Sequence, residues 1–196
     1  MILSKTYPEP PFCEQQILRY AQSGATKQTL LLLNECKKEI CGVIQYNVCY
    51  RELAVEVKQQ ICDFGVFSVH SKNLADNLAG CNKVIAFAAT IGIELDRLIA
   101  KYSRLSPAKA VLLQAIGAER VEALCDMFCA DIEKQYGKTR PRFSAGYGDL
   151  PLAIQRDIFS LLDCERKMGI TLNDSLLMSP SKSVTAFVGV CAEEKV

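Results

Sequence analysis

The 196-residue chain has no tryptophan and a single histidine, His70. One imidazole excludes a histidine-rich metal site, and a Cys-His nucleophile pair would have to use that same residue. His70 closes an apolar stretch and precedes Ser71, which reads as a helix cap, so a structural role suits it better. No Walker loop and no Gly-x-Gly-x-x-Gly turn occurs, which removes two common phosphate-binding designs. No apolar run approaches the roughly 20 residues that a membrane-spanning helix needs. The first residues, Met1 to Pro8, lack the long apolar core of a secretory signal. Net charge is +1, with no strongly basic stripe to suit nucleic acid. The short basic groups Lys37-Lys38 and Lys138 to Arg142 read as solvated faces. The expectation is a cytoplasmic protein that engages neither nucleic acid nor membrane.

Cysteine is abundant, with ten in the chain and no Cys-x-x-Cys pair among them. Many sit in apolar runs, such as Cys49 after Val48 and Cys125 after Leu124. They read as small buried hydrophobes in a reducing compartment. Cys125 and Cys129 lie one helical turn apart and look like core positions.

About half the residues are apolar, enough for one sizeable core, and residues 1–196 read as one domain. Pro8 to Pro11 make a stiff entry. Helix patterns follow at Gln15 to Gln22 and at Lys27 to Ile40. From Gly42 to His70 the texture turns β-branched and aromatic, with one strand expected over residues 43–50 and another over 61–69. Ser71 caps a short helix through Ala79. Val84 to Thr90 is a buried strand, and Ile93 to Tyr102 is helical. Ser106-Pro107 opens a helix that can continue almost to Gly137. Its apolar side includes Leu113, Gly117, Val121, Leu124, Phe128 and Ile132, and Glu119, Glu122 and Asp126 share another face. A loop spans Gly137 to Leu150, a helix spans Ala153 to Cys164, and strands return near residues 170–172 and 184–190. Helices and strands do not alternate strictly, so the class is α+β, a mainly antiparallel sheet with several helices including one long one.

The segment Arg142-Phe-Ser-Ala-Gly-Tyr-Gly-Asp-Leu-Pro151 carries the chemistry. Glycines on both sides of Tyr147 let the backbone turn sharply and approach a ligand closely. Arg142 offers a planar fork for a carboxylate, and Tyr147 a face for a cation or a flat base. An amino acid joined to a base has all three features. A structured turn with a surface arginine is the alternative reading of the same residues.

At this point the chain resembles the activation domain of cobalamin (vitamin B12)-dependent methionine synthase. That family carries Arg-x-x-x-Gly-Tyr-x-x-x-Pro, here Arg142, Gly146, Tyr147 and Pro151. The stretch through Gln155 and Asp157-Ile-Phe159 is similar to short, free-standing members. Ile170-x-Leu172-x-x-Ser175-x-x-Met178-x-Pro180-x-Lys182-Ser183-Val184 extends the match. Thr90-Ile-Gly92, Val121-Glu-Ala123 and, more weakly, Ile17-Leu-Arg-Tyr20 also fit.

The resemblance implies S-adenosylmethionine as ligand. Arg142 would hold its carboxylate, backbone groups near Ser144, Gly146 and Tyr147 its adenosine, and Glu122 its ammonium or ribose. The alternative for Glu122 is a solvated helix carboxylate. Gly117 and Ala118 would leave room for close approach. The family's late aromatic contact falls only loosely on Phe187. Large multidomain members tend to carry proline where this chain has Phe143 and Gly148, and an aspartate that they contribute from their N-terminal part has no counterpart. The implied role is a reactivation subunit that supports reductive methylation of oxidised cobalamin. The cobalamin would sit on partner methionine synthase modules in trans, with a flavodoxin- or ferredoxin-like electron donor. The alternatives are an activator of another corrinoid methyltransferase and a non-catalytic S-adenosylmethionine sensor.

Overall fold

The computed structural model describes residues 1–191. In chain order its elements are β1 (Leu3–Tyr7), α1 (Glu14–Tyr20), α2 (Lys27–Ile40), β2 (Tyr46–Ala54), β3 (Glu56–Lys58), β4 (Ile61–Asp63) and β5 (Ser68–His70). Then come α3 (Lys72–Asn77), β6 (Cys81–Thr90), α4 (Glu94–Leu105), α5 (Pro107–Tyr136) and β7 (Phe143–Ser144). After a 3-10 turn follow α6 (Gln155–Leu162), α7 (Cys164–Met168), β8 (Thr171–Leu172), β9 (Met178–Ser179) and β10 (Ser183–Cys191).

The main sheet has the order β1-β2-β6-β10-β7, with every neighbouring pair antiparallel. Its central strand β6 reads as one apolar run because both faces are covered. Ile85, Phe87 and Ala89 join a core built with α1, α2, α4 and α5. Val84, Ala86 and Ala88 join a second core with α3, α6, α7 and the small β3-β4-β5 sheet. Alternate residues of a strand point to opposite faces, so one continuous hydrophobic segment serves two layers. The α+β class and the antiparallel sheet match the sequence reading.

Local signals hold where the chemistry is short-range. Ser71 Oγ accepts from Leu74 N–H at 3.0 Å, and α5 starts at Pro107 and ends before Gly137. The strand expected over residues 43–50 begins only at Tyr46, because Gly42 adopts φ +71° and Val43 N–H closes a turn on the Ile40 carbonyl. The strand expected over 61–69 is a hairpin, broken at Gly65 with φ +76°, whose N–H bonds Asp63 Oδ1. The helix expected over 153–164 is interrupted by Asp163 in the left-handed region. Strand β1, unread in the sequence, is recruited by pairing with β2 about 40 residues away. Nor are the short basic groups simply solvated. Lys37 pairs with Glu14, and Arg140 donates to the Ala79 carbonyl at 2.6 Å.

Candidate functional site

The loop after α5 is fastened at the edge of the main sheet. Phe143 and Ser144 pair with Phe187 and Ala186 of β10, and the Phe143 ring is buried in the second core. Past this anchor the chain closes on itself. Tyr147 N–H donates to the Ser144 carbonyl, Gly146 N–H to that of Leu150, and Leu150 N–H to that of Tyr147, at 3.0–3.2 Å. Gly146 lies at φ +81°, and a Cβ there would stand 3.1 Å from Leu152 Cδ1. Left-handed backbone costs an ordinary residue about 1–2 kcal/mol. Gly146→Ala is therefore expected to lower unfolding stability by roughly that amount, read from a denaturant midpoint at constant slope. An unchanged midpoint would show that the loop does not need its glycine.

Asp149 ties this loop to α3. Its carboxylate accepts from Ser71 Oγ at 2.5 Å and from the N–H groups of Lys72 at 2.8 Å and Asn73 at 3.1 Å. The Ser71 bond, with the backbone donors behind it, holds the Asp149 carboxyl below its ordinary range. A depressed carboxyl stabilises fully above the ordinary value of about 3.9 and loses that contribution as pH falls through the lower folded-state value. Amide resonances of Lys72 and Asn73 are expected to titrate below the ordinary carboxyl midpoint. A midpoint at or above it would contradict the tie.

Arg142 points to α5, where its guanidinium pairs with Glu122 and Asp126. Burial works against the charge, and the bonds from Asp126 and Glu122 outweigh it, so the guanidinium stays protonated. The two carboxylates are four residues apart on the helix and so lie on one face. Both remain accessible, Glu122 at 38% and Asp126 at 69% side-chain exposure. Beside them opens a groove of about 620 Å³ lined by Asp126, Cys129, Glu133, Arg140 and Arg142 among others. Tyr147 is 69% exposed, its ring edge-on to Phe143 at 5.4 Å. A second concavity, of about 370 Å³, lies between α2 and the start of α5 and is lined without a charged side chain.

The expected site residues thus fall into two groups. Arg142 and Glu122 meet directly, while Ser144, Gly146 and Tyr147 form the adjoining turn. Asp126 is the unexpected third member of the charge cluster, and its spacing from Glu122 was the available signal. Glu119 does not join the cluster. It is 3% exposed, bonded to buried Arg120 and to Cys13 N–H, about two helical turns before Asp126. The room at Gly117 is filled by Leu95 and Lys182 of the chain itself. Phe187 is stacked on Phe64 at 4.9 Å inside the core, out of a ligand's reach. Among the described residues, no group of three or more His, Cys, Asp or Glu could hold a metal ion, and no helix is long and apolar enough to cross a membrane.

The family model described as the vitamin B12-dependent methionine synthase activation domain matches residues 58–195. The chain belongs to this family. The match begins at the last residue of β3, so both halves of the charge cluster and the whole glycine turn lie within it. The activation-domain chain also superposes on a crystal structure of the MetH reactivation domain bound to AdoHcy. The TM-score is 0.72 at 13% identity, covering 100% of this chain and 80% of that one. At such low identity the likeness shows a shared fold. No curated protein matches the sequence.

Proposed function

We propose that this activation domain binds S-adenosylmethionine at the Arg142 loop and serves cobalamin-bearing methionine synthase modules in trans. One observation carries the reading: a guanidinium meets two accessible carboxylates, and a glycine-flanked, exposed tyrosine follows that arginine within five residues of chain. The reactivation domain sharing this fold is bound to AdoHcy, the demethylated form of the same ligand.

The charge cluster fits an amino-acid zwitterion. The ligand's carboxylate takes a place on Arg142 while its ammonium takes one on Glu122 and Asp126, so no charge is left without a partner. Water reaches both carboxylates, which keeps the internal pairs weaker than fully buried ones and open to exchange. Tyr147 supplies an aromatic face for the adenosine. The N–H groups of Gly146 and Tyr147 are already used within the turn, so backbone contacts near Ser144, Gly146 and Tyr147 fall to carbonyl oxygens. The uncharged second concavity offers nothing to either end of such a ligand.

When bound, S-adenosylmethionine supplies a methyl group that cobalamin on the partner can accept. The chain's residues hold and aim the donor, and such placement needs no protein nucleophile. The electron for reductive methylation comes from a flavodoxin- or ferredoxin-like protein. The test is to add the chain to oxidatively inactivated methionine synthase modules with reductant and S-adenosylmethionine. Turnover is expected to recover only when the chain is present. Binding without recovery would point to a sensor or to another corrinoid methyltransferase.

A further inference from the structure

We infer that Cys81 and Cys191 form a reversible disulfide that fastens the end of β10 to the start of β6, next to the segment leading to Arg142. The two residues are register partners across the antiparallel pair. Neither N–H is spent on the other strand: Cys81 N–H donates to the Leu78 carbonyl and Cys191 N–H to that of Lys138. Such non-hydrogen-bonded pairs hold their Cα atoms about 4.5 Å apart with side chains close. A disulfide accepts Cα separations of roughly 4.4–6.8 Å.

A bulge aims the first thiol. Val190 pairs with Lys83 but Cys191 pairs with Cys81, which leaves Asn82 as the extra residue in β6. Without it Cys81 would face the first core. With it Cys81 joins Val84, Ala86 and Ala88 against the second. Cys191 lies two residues beyond Gly189, and alternation puts both on that same face. Gly189 clears the space: a Cβ there would stand 2.8 Å from the Cys81 sulfur. Both thiols are partly exposed, whereas Cys49 and Cys164 are sealed in the interior.

A low-molecular-weight disulfide is a sufficient oxidant. One protein thiolate attacks it, its S–S bond breaks, and one small thiol leaves. The second protein thiolate then displaces the other small thiol from the mixed disulfide. Two electrons pass to the small disulfide, and the two protein protons end on the two small thiols. Burial pushes the Cys81 thiol up, opposed by the Arg140 guanidinium at its side, so the exchange is slow. The product braces the strand end where the segment ahead of Arg142 is held: Arg140 N–H donates to the Gly189 carbonyl at 2.8 Å, and Thr139 bridges Val190.

The experiment equilibrates the full chain with graded ratios of oxidised to reduced glutathione, alkylates the denatured protein and maps cross-linked peptides by mass spectrometry. Mixed disulfides on the exposed Cys13 and Cys41 report that the oxidant acted. The expected result is a peptide joining Cys81 to Cys191, reversed by excess thiol and absent from Cys81→Ser and from Cys191→Ser. Amide exchange at Arg140 and Cys191 is expected to slow severalfold on oxidation. Finding both cysteines separately alkylated, or each carrying its own small thiol, while Cys13 and Cys41 are modified overturns the disulfide. A cross-link with unchanged amide exchange overturns the brace. Neither readout involves S-adenosylmethionine, so failure here leaves the ligand reading untouched.

Discussion

Arg142→Ala is expected to weaken S-adenosylmethionine binding by roughly 30-fold, equivalent to about 2 kcal/mol for a lost charge-assisted contact. The fold should barely notice. Glu122 and Asp126 lose their partner but stay accessible to water, so the stability change is expected to remain under about 1 kcal/mol. Arg142→Lys separates charge from shape, because a lysine keeps the cation but not the fork. It should recover only part of the affinity. Calorimetry together with a denaturation curve on each variant reads both quantities. If Arg142→Ala binds as tightly as the wild type, the loop is a structural turn. If it loses binding and stability together, the arginine acts through the fold.

The largest stability effect is expected at Arg120. Its side chain is fully buried, paired with Glu119, and donates to the carbonyls of Pro10 and Pro11, the latter at 2.7 Å. The guanidinium also stacks over Phe12 at 3.9 Å. It therefore pins the stiff N-terminal segment to the middle of α5. Removing one member of a buried ion pair costs about 3–5 kcal/mol because the other is left uncompensated. For a chain of this size, Arg120→Ala is expected to lower the melting temperature on the order of 10 °C. Glu119→Leu combined with Arg120→Met should cost less than the sum of the single changes, because no lone charge remains. Additive losses would show that the two side chains act independently.

Which of these features could be read in advance follows from their range. Ser71, Pro107 and Gly137 act within one turn of their own backbone, so helix ends were legible. The glycine turn was legible for the same reason, and its conformations at Gly146 and Gly148 are those that only glycine adopts easily. Burial was harder. Glu119, Glu122 and Asp126 fall together by periodicity, yet α5 has different neighbours along its length. The turn that carries Glu119 meets the N-terminal segment, which takes it into the interior, while Glu122 and Asp126, further along, meet the loop that follows the helix. Phe187 could be placed on a strand by its β-branched surroundings, but its core position depends on Phe64, more than 100 residues earlier. The reading of the cysteines as buried hydrophobes holds for five of the ten, while Cys13 and Cys41 are exposed and Cys81, Cys129 and Cys191 are partly so. What sequence could not show is that a bulge turns one of them toward a partner across the sheet.

The direct test of the central claim is a titration of isotope-labelled wild-type chain with S-adenosylmethionine, followed by amide and arginine side-chain resonances. Saturable shifts are expected at the Arg142 guanidinium, at Glu122 and Asp126, and along Ser144 to Gly148. A spectrum that stays unchanged at these positions, or that moves only around the uncharged concavity between α2 and α5, would contradict it.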